Sequence, residues 1–197
     1  MEFNELLKKR RSIYALSDKV EVKDQIIIDA LANAINNAPT AFDSGATHII
    51  VALGEKHHFV WDLTEKTLKK IVPENKFAST KVKLETFRKG YGTILVFKDL
   101  EKIDELKKAY PGFANRQDDW GEQNIGILVY SLWLSLYNVG LGGSIQHYDP
   151  LIDEGIKKEF KVPEGWKLET EMVFGNVLLD PPAKEYDPLE SRLIVSK

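Results

Sequence analysis

Apolar residues recur at helical spacing through most of the first ninety residues. Phe3, Leu6 and Leu7 share one face of a predicted N-terminal helix, and residues 23–38 repeat apolar positions three and four apart until Pro39 ends the pattern. Further helices are predicted around residues 59–72 and 75–89. The short apolar runs HIIVAL and YGTILVFKD interrupt this spacing and predict two strands.

The second half of the chain alternates in the same way. Residues 100–110 predict a charged helix, and residues 125–139 predict a long apolar helix that the run GLGG would end. SIQHY is typical of a short strand or loop, and residues 149–160 predict a helix with Asp149 as its N-cap. Residues 167–178 alternate as a strand does. Helices outnumber strands, so the pattern predicts one α+β domain over residues 1–197, with a single sheet wrapped by helices.

Composition narrows the class of protein. The net charge of −3 argues against a nucleic-acid-binding surface, and the absence of cysteine excludes disulfides and thiolate chemistry. The apolar stretch from Ile125 to Gly143 contains Gly, Ser and Asn and follows the charged run DDWGEQN, which favours a buried helix over a membrane span. We therefore expect a cytoplasmic protein that contacts neither nucleic acid nor membrane.

The basic cluster KKRRS at residues 8–12 is the first candidate site. Arginine binds phosphate in a bidentate manner, and the hydroxyl of Ser12 would add a neutral donor. A helix C-terminus also attracts cations through its dipole, so the cluster has two interpretations. Arg192, near the other end of the chain, is a further cation for such a site.

The remaining motifs do not indicate catalysis by the side chains of this chain alone. GLGG closes a predicted helix rather than opening one, which is wrong for a dinucleotide-binding loop, and neither GxSxG nor GK[ST] occurs. His57 and His58 are adjacent, which suits a solvated helix surface better than a chelating pair, and no metal site is predicted. His147 beside the glycine-rich turn remains open as a site residue. An enzyme built from this chain would depend on a cofactor for its chemistry.

The last segment, about residues 180–197, is long and Pro-rich and ends in apolar residues. A compact monomer explains such a tail poorly. It either frays or extends over a partner subunit and adds a strand there.

Taken together, these segments resemble the nitroreductase family of FMN-dependent flavoproteins. The likeness is strongest to its short subgroup, which includes fungal fatty-acid-repression-type proteins and bacterial relatives. It is carried by RRSIYAL, NAPTAFDSGATHIIVALGEKHHFVWD, FASTKVKLETFRKGYGTILVFKD, WGEQNIGILVYSLWLSLYNVGLGGSIQHYDPLID and PLESRL, and the subgroup by the order and spacing of GYGTILVF, GLGGSIQHYDPLID and PEGWKL. The resemblance implies a central mixed sheet flanked by helices, in an intertwined homodimer whose C-terminal segments are exchanged and whose two FMN sites lie at the interface.

The same resemblance implies a set of FMN contacts. The cations and hydroxyl of the phosphate site match Arg10, Arg11, Ser12 and Arg192. Thr80 and Lys83 match residues near the ribityl chain and the pyrimidine edge of the flavin, and Ile145, Gln146 and His147 match the segment against the ring. The loop with Pro39, Thr40 and Asp43 would reach the flavin of the partner subunit.

Some positions depart from the family pattern. Tyr14 and Glu190 each replace a cation, Asp43 stands where many relatives have Asn, and Gly45 stands where they have Gln. A carboxylate beside the ring would disfavour the anionic reduced flavin.

Two functions follow from the resemblance. The first is an FMN-dependent NAD(P)H oxidoreductase that reduces nitroaromatic or quinone-like acceptors by a ping-pong mechanism, in a slot walled by Phe42, Trp120 or Tyr148. The alternative is an FMN-binding redox-sensing or regulatory protein with low turnover, which the departures at Asp43, Gly45 and Glu190 favour.

Overall fold

Seven α-helices and five strands are found in residues 2–197, the part of the chain that this computed structural model describes. The helices are α1 (Phe3–Lys9), α2 (Asp24–Asn37), α3 (Glu55–Leu68), α4 (Glu74–Arg88), α5 (Leu100–Ala109), α6 (Gln117–Asn138) and α7 (Asp153–Phe160). The strands are β1 (Leu16–Ser17), β2 (Thr47–Leu53), β3 (Gly92–Asp99), β4 (Gly142–Gln146) and β5 (Trp166–Val177). The predicted α+β fold is confirmed.

The strands form one sheet centred on β5 and β3. β3 pairs with β5 on one edge and with β2 on the other, and β5 also pairs with β4 and, near its C-terminal end, with β1. All these pairs are antiparallel, and a parallel bridge between Ser12 and Gly143 adds the N-terminal segment to β4. All eight residues of β3 are buried because helices cover both faces of the sheet.

The sheet separates two apolar layers. The first lies under α3, α4 and α7 and contains Trp61, Phe87 and Phe97. The second lies under α2 and α6 and contains Ile27, Leu128 and Met172. Pro39 follows the end of α2 and Gly140 follows α6 with a positive φ of 86°, so both predicted helix ends are confirmed.

His57 corrects the prediction of a solvated pair. His58 is exposed, but His57 is only 1% exposed, because adjacent helical positions point in different directions. Its Nδ1 lies 2.8 Å from the hydroxyl of Thr93, which also accepts a hydrogen bond from the indole N–H of Trp61 at 3.0 Å. Burial lowers the pKa of His57 to about 4, so the ring is neutral at pH 7.

One other expectation fails locally. α7 begins at Asp153 rather than after Asp149, because residues 148–153 form a turn in which the Leu151 N–H donates to the Tyr148 carbonyl at 2.8 Å.

Within the single chain, residues 178–197 contain a short 3₁₀ turn, Leu189–Ser191, and are otherwise irregular. The strand that this tail would add to a partner subunit stays a prediction.

The long apolar helix is not buried on all sides within one chain. Leu128, Leu132 and Leu136 are fully buried against the sheet, whereas Ile127 and Tyr130 are each 40% exposed on another face of α6. No helix in the described part of the chain combines the length and the apolarity that a membrane crossing requires.

Candidate functional site

The N-terminal basic segment is fixed beside β4 by its backbone. The amide of Ile13 donates to the carbonyl of Gly143 at 2.9 Å, next to the Ser12–Gly143 bridge. Gly143 permits this packing on its other side, since a Cβ there would lie 2.8 Å from the Val173 carbonyl oxygen. The glycine-rich run therefore brings β4 into the sheet and places Ser12 against it.

Arg10 lies over two aromatic rings of α6. Its guanidinium carbon is 4.4 Å from the ring centroid of Trp133 and 5.9 Å from that of Tyr130. The indole N–H of Trp133 donates to the Gly143 carbonyl at 3.2 Å, which fixes the ring to β4. The Nε of Arg10 is buried and has no hydrogen-bond partner among the described residues. A cation with an unused donor is thus held beside β4.

The side chain of Arg11 contacts the C-terminal tail instead of the rings of α6. Its Nη1 donates to the carbonyl of Pro182 at 2.9 Å, and its backbone N–H donates to the phenol oxygen of Tyr137 at 3.2 Å. Burial raises the pKa of that phenol, so it stays neutral. Within one chain, the side chain of Arg11 anchors the start of the tail.

A cavity of about 490 Å³, which we call the α6 cavity, lies between α6 and the ends of β4 and β5. Trp133 and Tyr130, the two rings under Arg10, form part of its wall, and so do Ile145 and His147. The remaining wall residues are Glu122, Ile125, Gly126, Val129, Asp149, Glu169 and Thr170. The structure therefore places Ile145 and His147 in the wall of the α6 cavity, and it places Arg10 over two of the rings that belong to the same wall. The volume of the cavity lies in the range of roughly 300–1,000 Å³ typical of ligand sites.

Gln146 points to the opposite side of β4. Its side chain is buried, and its Nε2 donates to the Ser144 hydroxyl at 3.2 Å. Its backbone carbonyl accepts from the Thr170 hydroxyl at 2.8 Å. Successive strand residues face opposite sides, so Ile145 and His147 share the cavity side while Gln146 does not. Only its backbone is available to a ligand in the α6 cavity.

Lys98 offsets part of the negative charge in the wall of the α6 cavity. Its Nζ is paired with Glu122 and lies 3.0 Å from Glu169. Burial alone would lower the pKa of Lys98, but its hydrogen bonds to these two carboxylates raise it. Lys98 therefore stays charged, and the two glutamates are held at the end of the cavity wall.

The loop after α2 is constrained at several points. Phe42 and Asp43 have positive φ values of 55° and 51°, and Gly45 has a φ of 57°. The Asn124 side chain accepts from the Ala41 N–H at 3.1 Å, and the Thr40 hydroxyl accepts from the Gly45 N–H at 3.0 Å. Left-handed backbone at two non-glycine residues costs free energy that surrounding contacts must offset. Glycine at position 45 suits its φ, where most other residues would add strain.

An aromatic group packs against this loop. The ring of Phe42 stacks on Tyr110 with centroids 4.1 Å apart, and Phe113 and Trp120 lie 6.3 and 5.8 Å away. Phe42 is 44% exposed despite these contacts. Pro39 and Asp43 are also exposed, so the loop presents side chains to the exterior of the single chain.

Three predicted residues stand apart from the cavity. Thr80 and Lys83 lie on α4, where the Thr80 hydroxyl donates to the Lys76 carbonyl and the Lys83 ammonium lies over the ring of Phe87. Arg192 is exposed in the tail. In the described part of this chain, no hydrogen bond or ion pair joins these three to Arg10 or to β4.

Sequence reasoning missed a buried carboxyl group below the cavity. Glu171 is fully buried, and its Oε2 accepts a hydrogen bond from the Tyr148 N–H at 3.0 Å. Burial, reinforced by the charges of Asp149 and Asp153, raises the pKa of Glu171 to about 8. Glu169 has no partner in the register of β3, which pairs Val96 with Thr170 and Phe97 with Leu168. This bulge shifts the side-chain alternation, so Glu171 shares a face with Leu168 in a way the sequence did not reveal.

Comparison with known proteins identifies relatives across almost the entire chain. A family model described as the nitroreductase family matches residues 7–176. Two curated proteins of Saccharomyces cerevisiae are similar: HBN1 is 29% identical over 184 residues, covering 91% of this chain and 90% of that protein, and nitroreductase FRM2 is 25% identical over 182 residues, covering 90% and 89%.

Solved structures similar to this chain come from the same family as these sequence matches. Nitroreductase CinD from Lactococcus lactis in complex with chloramphenicol has a TM-score of 0.91 and 33% identity, with complete coverage of both chains. The complex of the same protein with 4-nitrophenol has a TM-score of 0.90. A nitroreductase from S. cerevisiae has a TM-score of 0.78 and 25% identity, covering 90% of this chain and 96% of that one.

Proposed function

The chain belongs to the nitroreductase family and is by that membership an oxidoreductase; we propose that FMN is its cofactor and that it reduces nitroaromatic or quinone-like acceptors with electrons from NADH or NADPH. The observation that carries this proposal is the position of Arg10. Its guanidinium lies over Trp133 and Tyr130, two rings that line the same cavity as Ile145 and His147. A mononucleotide flavin needs a cation for its phosphate and backbone donors for its ring within one site.

The residues at the α6 cavity fit such a ligand. Arg10 retains a buried Nε with no partner in the described chain, which is the donor that a phosphate would use. His147 is exposed and Ile145 half-buried on the cavity side of β4, so the backbone near them is accessible from the cavity. Trp133 and Tyr130 provide apolar surface, as ligand sites usually do.

The residues of the chain would bind and orient the cofactor rather than carry the redox step. When bound, FMN would accept a hydride from the nicotinamide and pass the electrons to the acceptor in a ping-pong cycle. Arg10 and Ser12 would hold the phosphate, with Arg11 between them, and the segment of Ile145, Gln146 and His147 would fix the ring edge through backbone N–H groups. Thr80 and Lys83 would approach the ribityl and pyrimidine side, where an ammonium favours the anionic reduced ring.

A homodimer is part of the proposal. The tail exposes several large apolar side chains in the single chain, namely Leu178, Leu179, Tyr186, Leu189, Leu193, Ile194 and Val195. On α6, Ile127 and Tyr130 are also exposed. Apolar surface of this extent is typical of a buried interface. An exchange of tails would cover it and would bring Arg192 to the phosphate site of the partner.

The same assembly would complete the acceptor slot. The loop with Pro39, Thr40 and Asp43 would reach the partner's flavin, and Phe42 would present its ring to a planar acceptor. CinD, the relative at 33% identity, has been solved in complex with chloramphenicol and with 4-nitrophenol. Aromatic walls suit such acceptors because ring stacking adds about 0.5–1.5 kcal/mol beyond the burial of surface.

Two measurements test this function. The purified protein should be yellow, with the absorbance bands of bound flavin, and stopped-flow mixing with NADH or NADPH should bleach them rapidly. Re-oxidation by 4-nitrophenol should complete the cycle. A colourless protein that takes up no FMN, or a bound flavin that both nicotinamides leave oxidised for many minutes, would refute the proposal.

A redox-sensing role with low turnover is the second candidate, and Asp43 is the observation that favours it. This exposed carboxylate stands on the loop expected near the flavin, where negative charge opposes formation of the reduced anion. The two roles differ in the oxidative half-reaction. A sensor would bind and reduce flavin but turn over slowly with every acceptor, and Asp43→Asn would then raise the steady-state rate.

A further inference from the structure

Three carboxyl groups meet below the end of β4, and we call them the carboxyl cluster: Asp149, Asp153 and Glu171. Glu171 has no exposed surface, and its Oε1 has no hydrogen-bond partner among the described residues. Asp149 Oδ1 and Asp153 Oδ1 are buried and unpartnered in the same way. Oε2 of Glu171 accepts a hydrogen bond from the N–H of Tyr148. That N–H belongs to the residue directly after His147.

No cation neutralises the cluster by direct contact. None of its three members forms an ion pair in the described part of the chain, and Lys167, the strand neighbour, is bonded to Glu169 instead. An unpaired buried carboxylate is strongly unfavourable, and protonation is the usual resolution. Burial and the charge of Glu169 raise the pKa of Asp149, and burial and the charge of Asp149 raise that of Asp153.

The other titratable and charged groups around Glu171 are few. From the segment between β4 and α7 come His147, Tyr148 and Asp149; from α7, Asp153 and Lys157; and from β5 itself, Lys167 and Glu169. Burial and the charge of Glu171 raise the pKa of the Tyr148 phenol to about 12. α3 contributes Trp61, whose ring lies 5.9 Å from that of Tyr148, and the neutral His57. The facing strand residues are the uncharged Gln146 on β4 and Leu95 on β3.

We propose that Glu171 is a redox-tuning group: its carboxyl is kept protonated at neutral pH beneath the flavin-contacting end of β4, and it loses that proton only in alkaline solution, which makes the flavin harder to reduce. This inference rests on the proposed function for the position of the flavin. It does not rest on it for the protonation of Glu171, which follows from burial and the unpartnered oxygens.

The proton balance defines the effect. Hydride transfer gives the flavin ring two electrons and one proton and leaves it with one negative charge. In the alkaline pH range, Glu171 is ionised beside the oxidised flavin but protonated beside the reduced one. Reduction of the flavin in that range therefore draws one additional proton from solvent to the Glu171 carboxylate. Below that pH range the carboxyl is neutral in both redox states, and no additional proton is taken up.

The first test asks whether the proton is present. Infrared spectra of the purified protein at about pH 6.5 should contain the C=O band of a protonated carboxylic acid, since ordinary carboxyl groups are ionised at that pH. Glu171→Gln should remove the contribution of this carboxyl from the band, whereas Glu164→Gln, at a side chain 95% exposed, should leave the band unchanged. A spectrum without this band in the parent protein overturns the proposal, whether or not the protein binds flavin.

The second test asks whether the proton tunes the flavin. Below about pH 8 the midpoint potential of the parent protein and of Glu171→Gln should change in parallel. Above it the parent should fall more steeply, by one proton per two electrons, which corresponds to about 30 mV per pH unit. Glu164→Gln should follow the parent.

The outcomes separate the two proposals. Parallel potentials throughout the alkaline range, with the infrared band present, overturn the tuning role but leave the flavin function intact. A protein that binds no flavin overturns both the function and the tuning role, while the band still decides the protonation of Glu171. The band together with the steeper alkaline slope supports the whole inference.

Discussion

The two sides of β4 differ in the kind of buried polar group that has no hydrogen-bond partner. On the cavity side, Ile145 and His147 face an open space that is also lined by Trp133 and Tyr130, the rings under Arg10, a cation with an unused donor. On the other side, Ser144 and Gln146 are buried in the layer of Glu171, a carboxyl with an unused acceptor. An unused donor at an open cavity is suited to an anionic ligand. An unused acceptor in a closed layer is suited to a proton, because nothing larger can reach it.

The comparison teaches that one short strand serves two purposes. Alternation of side chains gives each face its own environment, and the backbone between them belongs to both. The Tyr148 N–H already donates to Glu171, while the preceding segment borders the cavity. A change of charge on the closed side is therefore transmitted to the open side over a very short distance.

The largest expected effect concerns the closed side and pH. The folded pKa of Glu171, about 8, lies above its ordinary value of 4.5, so the folded state holds more protons between these limits and stability falls as the pH rises through them. The loss should be on the order of 3 to 5 kcal/mol in the free energy of unfolding. Urea unfolding of Glu171→Gln between about pH 5 and about pH 9 should lack this loss.

A control keeps that comparison specific. Glu164→Gln removes an exposed carboxyl and should retain the slope of the parent protein. His57 acts in the opposite sense, because its lowered pKa makes stability rise with pH from about 4 to 6.5, but it is the same in all three proteins. Equal slopes in the parent and Glu171→Gln would show that Glu171 is ionised in the folded protein.

Removal of the Thr93 hydroxyl tests whether the closed side depends on complete hydrogen bonding. Thr93→Val leaves the ring of His57 and the indole N–H of Trp61 without their partner and should lower the free energy of unfolding by about 2–4 kcal/mol. Thr93→Ser keeps the hydroxyl and should retain most of the free energy of unfolding that Thr93→Val loses. FMN affinity should not change, and a weaker affinity would show that the two sides are not separable.

Arg10 tests the open side. Arg10→Ala should weaken FMN binding by on the order of 1.5–3 kcal/mol, the usual contribution of a hydrogen bond to a charged group. Flavin fluorescence titration measures the change, and Arg116→Ala, which removes an exposed arginine on the surface, serves as a control. If Arg10→Ala binds FMN as tightly as the parent, the phosphate is held by another cation.

The smallest expected effect lies in the acceptor loop. Phe42→Ala should raise KM for 4-nitrophenol about two- to tenfold with little change in flavin reduction by NADH, because one stacking ring contributes about 0.5–1.5 kcal/mol. Phe113→Ala, in the same aromatic group, should change KM less. A lowered rate of flavin reduction with unchanged KM would instead mean that the loop positions the flavin.

Much of the fold is readable from the sequence because it depends on local patterns. The period of apolar residues predicted α2, α3, α4 and α5 and the strands β2, β3 and β5. The start of α7 was predicted wrongly, because a turn over residues 148–153 competes with the N-cap signal of Asp149. The flavin contacts all remain predictions. Ile145 and His147 line the α6 cavity and Arg10 lies over two of its rings, whereas Thr80, Lys83 and Arg192 lie apart from it and depend on a bound flavin or a second subunit to join the site.

The sequence by itself predicted an α+β fold, since helical and strand periods are properties of short segments, and the resemblance of its motifs indicated the nitroreductase family. Only the tertiary structure decided that Arg10 rests on Trp133, that His57 is buried and that Glu171 is buried without a cation. The physical reason is that burial and charge pairing depend on residues distant along the chain. A bulge at one residue of β5 was enough to set the face on which Glu171 lies.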